Sequence, residues 1–381
     1  MADVMLNGRT HPAVAPPVEL PEDEIAGLGE WLEAQVTGAK AMVSTFTVQR
    51  CSEYFTAPDT DVLRQVLREF VARGKYVRST FAYLGWLCGR PESGAAAHAA
   101  ASLELLHAFA LIQDDVMDDS ATRRGHPTVH VQLTDWHHRL RPGHGADRFG
   151  RSAAVLLSDL CLAWSERMLR EAGLPADCLN RAWPVYDLTR SELAVGQFSD
   201  LLNDTSASPS LESVLDVARR KSGNYTVRRP LELGAALAGC SREHTAALQR
   251  YGALIGEAFQ LRDDELGVFG DPRTTGKPLG DDLRQGKATS VIVMARELAD
   301  PAQRAQLEEL AATAETEGGG DPEWVRRWQE LIVATGARAR IEQLIEQRVV
   351  EATRLLRAAG LPALPRQGLL LLAEKCTRRD H

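Results

Sequence analysis

The sequence predicts an all-α protein, one domain of many packed helices, on three observations. Ala, Leu, Glu and Arg recur at helical spacing in nearly every segment, and apolar residues form stripes along them. The β-branched, alternating runs of a sheet are missing. None of the Gly/Pro breaks is long enough to serve as a linker between domains.

In chain order, residues 1–20 read as a flexible Pro-rich lead-in, and residues 21–381 as the helical domain. VLRQVLREFVAR (62–73) carries an apolar stripe. Pro91-Glu92-Ser93-Gly94 breaks the chain before AAAHAAASLELLHAFALI (95–112). That run could pass for a membrane span, but His98, Glu104 and His107 interrupt it, so it reads as a buried helix without stable membrane insertion. Pro142-Gly143 precedes SAAVLLSDLCLAWSERMLREAG (152–173). Gly270-Asp271-Pro272 and Gly318-Gly319-Gly320 are further breaks, and IEQLIEQRVVEATRLLRAAG (341–360) closes the series. The last two of the three striped segments, 152–173 and 341–360, each end in a Gly suited to a helix C-cap.

Bulk composition narrows the function. Hydrophobic content of 44% supports a sizeable core, and a net charge of −8 argues against a nucleic-acid partner, which needs a basic face. The six cysteines (51, 88, 161, 178, 240, 376) show no CxxC spacing. They read as buried small residues in a reducing cytoplasm. The N-terminus has no basic start followed by an apolar stretch, so no secretory signal is expected.

Chemistry concentrates in LIQDDVMDDSATRRGHPTVH, residues 111–130. Asp114 and Asp118 lie four apart, on one face of a helix, with Asp115 beside them. Like charges at that spacing repel, and a lone DDxxD is most simply a solvated helix end. A second acidic pair, Asp263 and Asp264, again follows an apolar helical run, YGALIGEAF, and two such faces could meet across one cavity. A hard divalent cation relieves the repulsion: Mg²⁺ takes one or two carboxylates together with phosphate oxygens and water. Basic residues accompany both clusters: Lys75 and Arg78, three apart on one helical face, Arg123 and Arg124, then Lys221, Lys277 and Lys287. Singly each reads as a surface charge. Together, beside carboxylates and Mg²⁺, they are what polyphosphate binding demands. No GxxxxGK[ST] loop is present, which weighs against a P-loop nucleotide site.

At roughly residues 60–300 the chain resembles the trans (E)-type polyprenyl diphosphate synthases. DDVMD followed by RRG-PT resembles that family's first aspartate-rich motif and FQLRDD (259–264) the second, while GKYVR (74–78), GQFSDL (196–201) and GKAT (286–289) are similar to shorter signatures. The resemblance implies a bundle of antiparallel helices around a deep central cavity, usually as a homodimer, that condenses isopentenyl diphosphate with an allylic diphosphate. It implies that Asp114, Asp115 and Asp118 hold two Mg²⁺ ions on the allylic diphosphate, and that Asp263 and Asp264 hold a third. Arg123, Lys221 and Lys277 would grip that diphosphate, with Lys287 assisting. Lys75, Arg78, His107 and Arg124 would bind isopentenyl diphosphate. For His107 the resemblance overrides a satisfied core histidine; His137, His138 and His144 lack that support and read as loop residues. The Lys221 carbonyl, the Ser222 hydroxyl and the Gln260 amide are candidates to face a carbocation, and the released diphosphate is the expected base.

One departure stands out: the second motif is DDELG, with Gly267 where many members carry a third Asp. Asp271 could return to that face only if the helix passed Gly270 and Pro272, so the third metal site is expected to rest on two carboxylates. For product length, Phe109 and Ala110 lie five and four residues before Asp114, about 6–7.5 Å deeper along the helix. A single aromatic, a small neighbour and no insertion in the first motif are similar to C20-forming members. Farnesyl or longer products are the alternative, and Leu106 a deeper candidate for the floor. A class I terpene cyclase would carry an N-D-x-x-S-x-x-x-E motif instead of FQLRDD, and a non-catalytic subunit of a heteromeric synthase could dispense with its first motif, which is whole here.

Overall fold

The computed structural model describes residues 22–142, 145–204, 209–271, 280–313 and 321–378. Its long helices are α1 (Glu22–Tyr54), α2 (Asp61–Ala72), α3 (Val77–Leu87), α4 (Gly94–Met117), α5 (Val129–Leu140), α6 (Ala146–Arg170) and α7 (Ala176–Asp204). There follow α8 (Leu211–Ala218), a π-helical segment (Arg219–Arg228), α9 (Arg229–Ala238) and α10 (Arg242–Phe269). A four-residue α11 (Asp281–Arg284) leads to α12 (Ser290–Leu298), α13 (Pro301–Ala312), α14 (Pro322–Ala334), α15 (Ala337–Ala358) and α16 (Ala363–Thr377). The expected all-α class is the observed one.

Polar caps set several boundaries. Ser93 opens α4 by accepting from the Ala96 amide, Ser241 opens α10 by accepting from the His244 amide, and Asp300 with Gln303 forms a capping box on α13. The striped segments appear as α2, α6 and α15, and left-handed Gly173 and Gly360 follow the last two. Two expectations need correction. His137 and His138 are not loop residues: they close α5, where His137 stacks on Phe149 with ring centroids 4.5 Å apart; His144 lies outside the described residues. Lys75 and Arg78 do not share a helical face, because Tyr76 takes the left-handed conformation (φ 56°) and α3 begins only at Val77.

Three buried clusters form the core, and two helices are shared between them. On α4, Leu103 and Leu106 belong to one cluster while Leu105, Ala108 and Ile112 belong to another. On α10, Leu248, Tyr251 and Ile255 join the first cluster and Ala258, Leu261 and Val268 the third. Each fully buried Leu or Ile is worth about 1.5–3 kcal/mol, so both helices are locked from two sides. By length and composition α4 could cross a membrane, but 61% of its most apolar stretch is buried inside the fold, as a core helix should be. Five of the cysteines are buried and Cys240 partly so.

Candidate active site

The two locked helices carry the two acidic clusters at their C-terminal ends. Asp114 and Asp115 lie in the last turn of α4 and Asp118 is its C-cap, while Asp263 and Asp264 fall near the end of α10. Helix C-termini bear partial negative charge, so carboxylates placed there call for cations. Asp114, Asp118, Asp263 and Asp264 all line one cavity of about 970 Å³.

Basic side chains answer them. Arg123 donates through Nη2 to Asp114 Oδ2 (2.9 Å) and through Nε to Asp115 Oδ1 (2.6 Å). Lys287 Nζ donates to Asp118 Oδ2 (2.6 Å), tying the GKAT segment to the first cluster across the cavity. Asp264 is held open by a different set: Ser290 donates through its amide (3.0 Å) and hydroxyl (2.6 Å), and Gln260 Nε2 lies 2.6 Å from the other oxygen. Burial nevertheless pushes its carboxyl up to about 6.

Asp115 differs from its neighbours. Its side chain is 1% exposed and does not line the cavity. Burial pushes its carboxyl up to about 6 against the opposing charge of Arg123. Its place is behind Arg123, which it positions.

Beside this lies a basic pocket. Thr122–Arg123 and His126–Pro127 pair as a two-stranded hairpin, which the sequence did not announce; its turn residues Arg124 and Gly125 take φ of 54° and 74°. The turn sends Arg124 away from Arg123, and its Nη1 donates to the Arg73 carbonyl (2.6 Å). Arg78 donates to Thr226 Oγ1 (2.8 Å) and lies over the Tyr225 ring, 4.4 Å from its centroid. Lys75, Arg78, His107 and Arg124 all face the same cavity. Burial, followed by the charges of Arg78, Arg124 and Arg123, drives the His107 imidazole well below its ordinary value, and its enclosed Nδ1 has no hydrogen-bond partner. Beneath them Glu104 accepts from the amide and hydroxyl of Ser79, each at 2.8 Å.

Ser222, Tyr225 and Thr226 reach the cavity from the π-helical segment, whose wider turns suit a functional wall. That segment sits against α10 because two glycines meet there: a Cβ on Gly256 would stand 2.5 Å from the Gly223 carbonyl oxygen. Phe109 and Ala110 both line the cavity, joined by Leu162, Leu193 and Phe259; Leu106 is fully buried and does not. The side chain of Lys221, and Lys277 altogether, lie outside the described residues. Sequence reasoning missed Gln197, whose Nε2 lies 3.3 Å from Asp114 Oδ1, and Asp200 and Asp282, which line the cavity. GQFSDL was the available signal for the first two.

The carboxylates fit Mg²⁺: Asp114, Asp118, Asp263 and Asp264 are hard oxygen donors lining one cavity. Among the described residues no three acidic, imidazole or thiol groups converge as one ion site.

A family model described as "Polyprenyl synthetase" matches residues 60–325. The geranylgeranyl diphosphate synthase of Mycobacterium tuberculosis is 32% identical over 309 residues, 81% of this chain and 80% of that protein. A short chain isoprenyl diphosphate synthase of Methanothermobacter thermautotrophicus is 29% identical over 85% of this chain and 92% of its own length. Among solved structures, a geranylgeranyl pyrophosphate synthase of Corynebacterium glutamicum, complexed with isoprenyl diphosphate and magnesium, superposes with a TM-score of 0.85. It is 36% identical, covering 92% of this chain and 99% of that one.

Proposed function

Because the chain belongs to the polyprenyl synthetase family, we propose that it makes geranylgeranyl diphosphate, extending allylic diphosphates with isopentenyl diphosphate. The carrying observation is that both acidic helix ends line one cavity together with Lys75, Arg78, His107 and Arg124. The enzyme is a prenyltransferase, and its chemistry is Mg²⁺-dependent. We assign three ions per site, held by Asp114 and Asp118 on one wall and Asp263 and Asp264 on the other.

When bound, the metal neutralises the leaving diphosphate and favours rupture of the allylic C–O bond. Arg123 and Lys287, already poised over Asp114 and Asp118, donate charge-assisted hydrogen bonds to the same diphosphate. Lys221 and Lys277 are assigned to it as well. Neutral His107 can donate a hydrogen bond without adding charge, while Arg78, Arg124 and Lys75 hold isopentenyl diphosphate. The Ser222 hydroxyl, the Gln260 amide and the Lys221 carbonyl face the allylic cation, and the apolar wall of Phe109, Leu162, Leu193 and Phe259 keeps water out. The allylic C–O bond breaks first, leaving diphosphate and the allylic cation; the isopentenyl double bond then attacks that carbon, and the proton leaves to the released diphosphate. No side-chain base is needed.

Incubation of the purified protein with Mg²⁺, isopentenyl diphosphate and each allylic starter, followed by chromatography of the dephosphorylated alcohols, tests the reading. A C20 alcohol is expected. A cyclised hydrocarbon would indicate a cyclase, and no product a non-catalytic subunit. Ala110→Phe should shorten the product to C15 and Phe109→Ala lengthen it beyond C20. Unchanged distributions in both would remove this helix face as the ruler. We further infer a homodimer, supported by Leu140 and Leu156, which are 62% and 66% exposed at α5 and α6. A cytoplasmic location is supported by six scattered, mostly buried cysteines without CxxC spacing. Residues 21–381 are assigned to one synthase domain, with 1–20 as a lead-in outside the described residues.

A further inference from the structure

Arg190 lines the cavity, and nothing in the chemistry proposed above uses it. It is the first residue of α7 to reach that space. Gln197, seven residues on, lies beside Asp114, so Arg190 stands about 10.5 Å farther from the acidic end along the helix. Phe109 is about 7.5 Å from Asp114 by the same rise. Both belong to the deep end, where Leu162 and Leu193 complete an otherwise apolar lining. A charge facing such a space is costly unless it is paired. Arg190 is paired: its Nη1 donates to Glu166 Oε2 on α6 (3.3 Å), and its Nη2 donates to Asp187. Its Cζ lies 4.7 Å from the centroid of the Tyr186 ring. Tyr186 is fully buried and donates to Ser165 Oγ (2.8 Å), which donates to the Ser102 carbonyl on α4 (2.7 Å). So α4, α6 and α7 are tied together just beyond Arg190, by residues that do not line the cavity.

We propose that Arg190 is a specificity-determining residue that ends chain elongation: its guanidinium, clamped by Glu166 and stacked on Tyr186, is the part of the cavity floor that the hydrocarbon tail meets on α7. An apolar tail gains by covering apolar surface. It loses when it strips water or a carboxylate from a guanidinium. Phe109 and Arg190 therefore share the floor, one closing it from α4 by bulk and the other from α7 by charge. A tail that outgrows Leu162 and Leu193 finds no further apolar surface to cover. The inference deepens the elongation reaction proposed above and rests on it.

The test uses the purified full chain with Mg²⁺, isopentenyl diphosphate and each allylic starter, and reads the dephosphorylated alcohols by chromatography. Arg190→Met keeps the reach of the side chain without its charge. It should raise the ratio of alcohols longer than the wild type's main product to that product about tenfold or more, the scale of one changed contact in an apolar pocket. Arg190→Lys keeps the charge and should give the wild-type distribution. If Arg190→Met matches wild type, or Arg190→Lys lengthens the product as far as Arg190→Met does, charge at this position is not the floor and the inference falls. A wild type that stops at a length other than C20 overturns the C20 reading alone, because the shift between variant and wild type still decides this one. A wild type that forms no product overturns both. Should Arg190→Met not fold, Glu166→Gln decides: it removes the clamp on α6 and leaves the exposed Asp187 to draw the guanidinium outward. The same lengthening is expected there, and an unchanged distribution overturns the inference.

Discussion

Replacing Asp115 by asparagine removes one buried charge while keeping the side chain's shape, and the consequence depends on pH. The folded protein holds the Asp115 proton more tightly than the unfolded chain, with the carboxyl at about 6 instead of 3.8. Its contribution to stability is therefore complete below pH 3.8 and is lost as pH rises through about 6. At 1.36 kcal/mol per tenfold in proton affinity, the full span is roughly 3 kcal/mol, of which about 2 kcal/mol falls between pH 4 and pH 8. Asparagine has no such dependence. In metal-free urea titrations, the stability of Asp115→Asn relative to wild type should thus improve by about 2 kcal/mol from pH 4 to pH 8. Turnover should move the other way, because Arg123 loses the anchor at its Nε; about tenfold is expected for one weakened charge-assisted bond. A relative stability that stays flat between the two pH values would refute the buried-charge reasoning. A raised Mg²⁺ requirement matching that of Asp114→Ala would show Asp115 to be a ligand after all.

Other perturbations separate the remaining roles. Asp114→Ala and Asp263→Ala should each cut steady-state turnover by about a hundredfold or more at saturating Mg²⁺, since each removes a group that stabilises developing charge; near-normal turnover in either would sink the two-cluster reading. Lys75→Ala and Arg78→Ala should raise KM for isopentenyl diphosphate roughly ten- to hundredfold with a smaller effect on the allylic substrate. Kinetics with the opposite selectivity would mean the two pockets are assigned the wrong way round. His107 stays neutral in the fold while an unfolded histidine protonates near pH 6.5, so stability is lost as pH falls through that value. His107→Gln should escape that loss below pH 6.5, and parallel pH profiles of the two melting temperatures would contradict it.

The sequence carried the helical class, the two acidic clusters and the basic set because each is written in local spacing. Asp114 and Asp118 must share a face if α4 is a helix, and α4 is apolar enough to leave no doubt of that. It could not separate Asp115 from Asp114, since adjacent residues differ only in which way the helix turns them, and burial is decided by the helices packed behind. Glu104 was noticed only as an interruption in an apolar run; its pairing with Ser79, 25 residues away, is a tertiary fact. Asp282 was unreadable for the same reason: the absence at position 267 was visible, but the residue that leans over it belongs to another helix. The stagger of Lys75 and Arg78 failed on a single backbone angle at Tyr76.

The hairpin after α4 shows how little structure is needed to divide labour. A type I′ turn ordinarily takes Asn-Gly or Gly-Gly, and a bulky residue at positive φ costs about 1–2 kcal/mol. Here an arginine stands at the first of those positions. The sacrifice makes sense because two consecutive arginines in ordinary extended chain would point to opposite faces with no control over reach. The mirrored turn instead aims Arg123 at one partner and Arg124 at another. On the assignment proposed above, two anionic substrates would be told apart by neighbours in sequence, the sorting done by the positive φ angles of Arg124 and Gly125. Loosening that turn would blur which cation serves which substrate even with every charge retained.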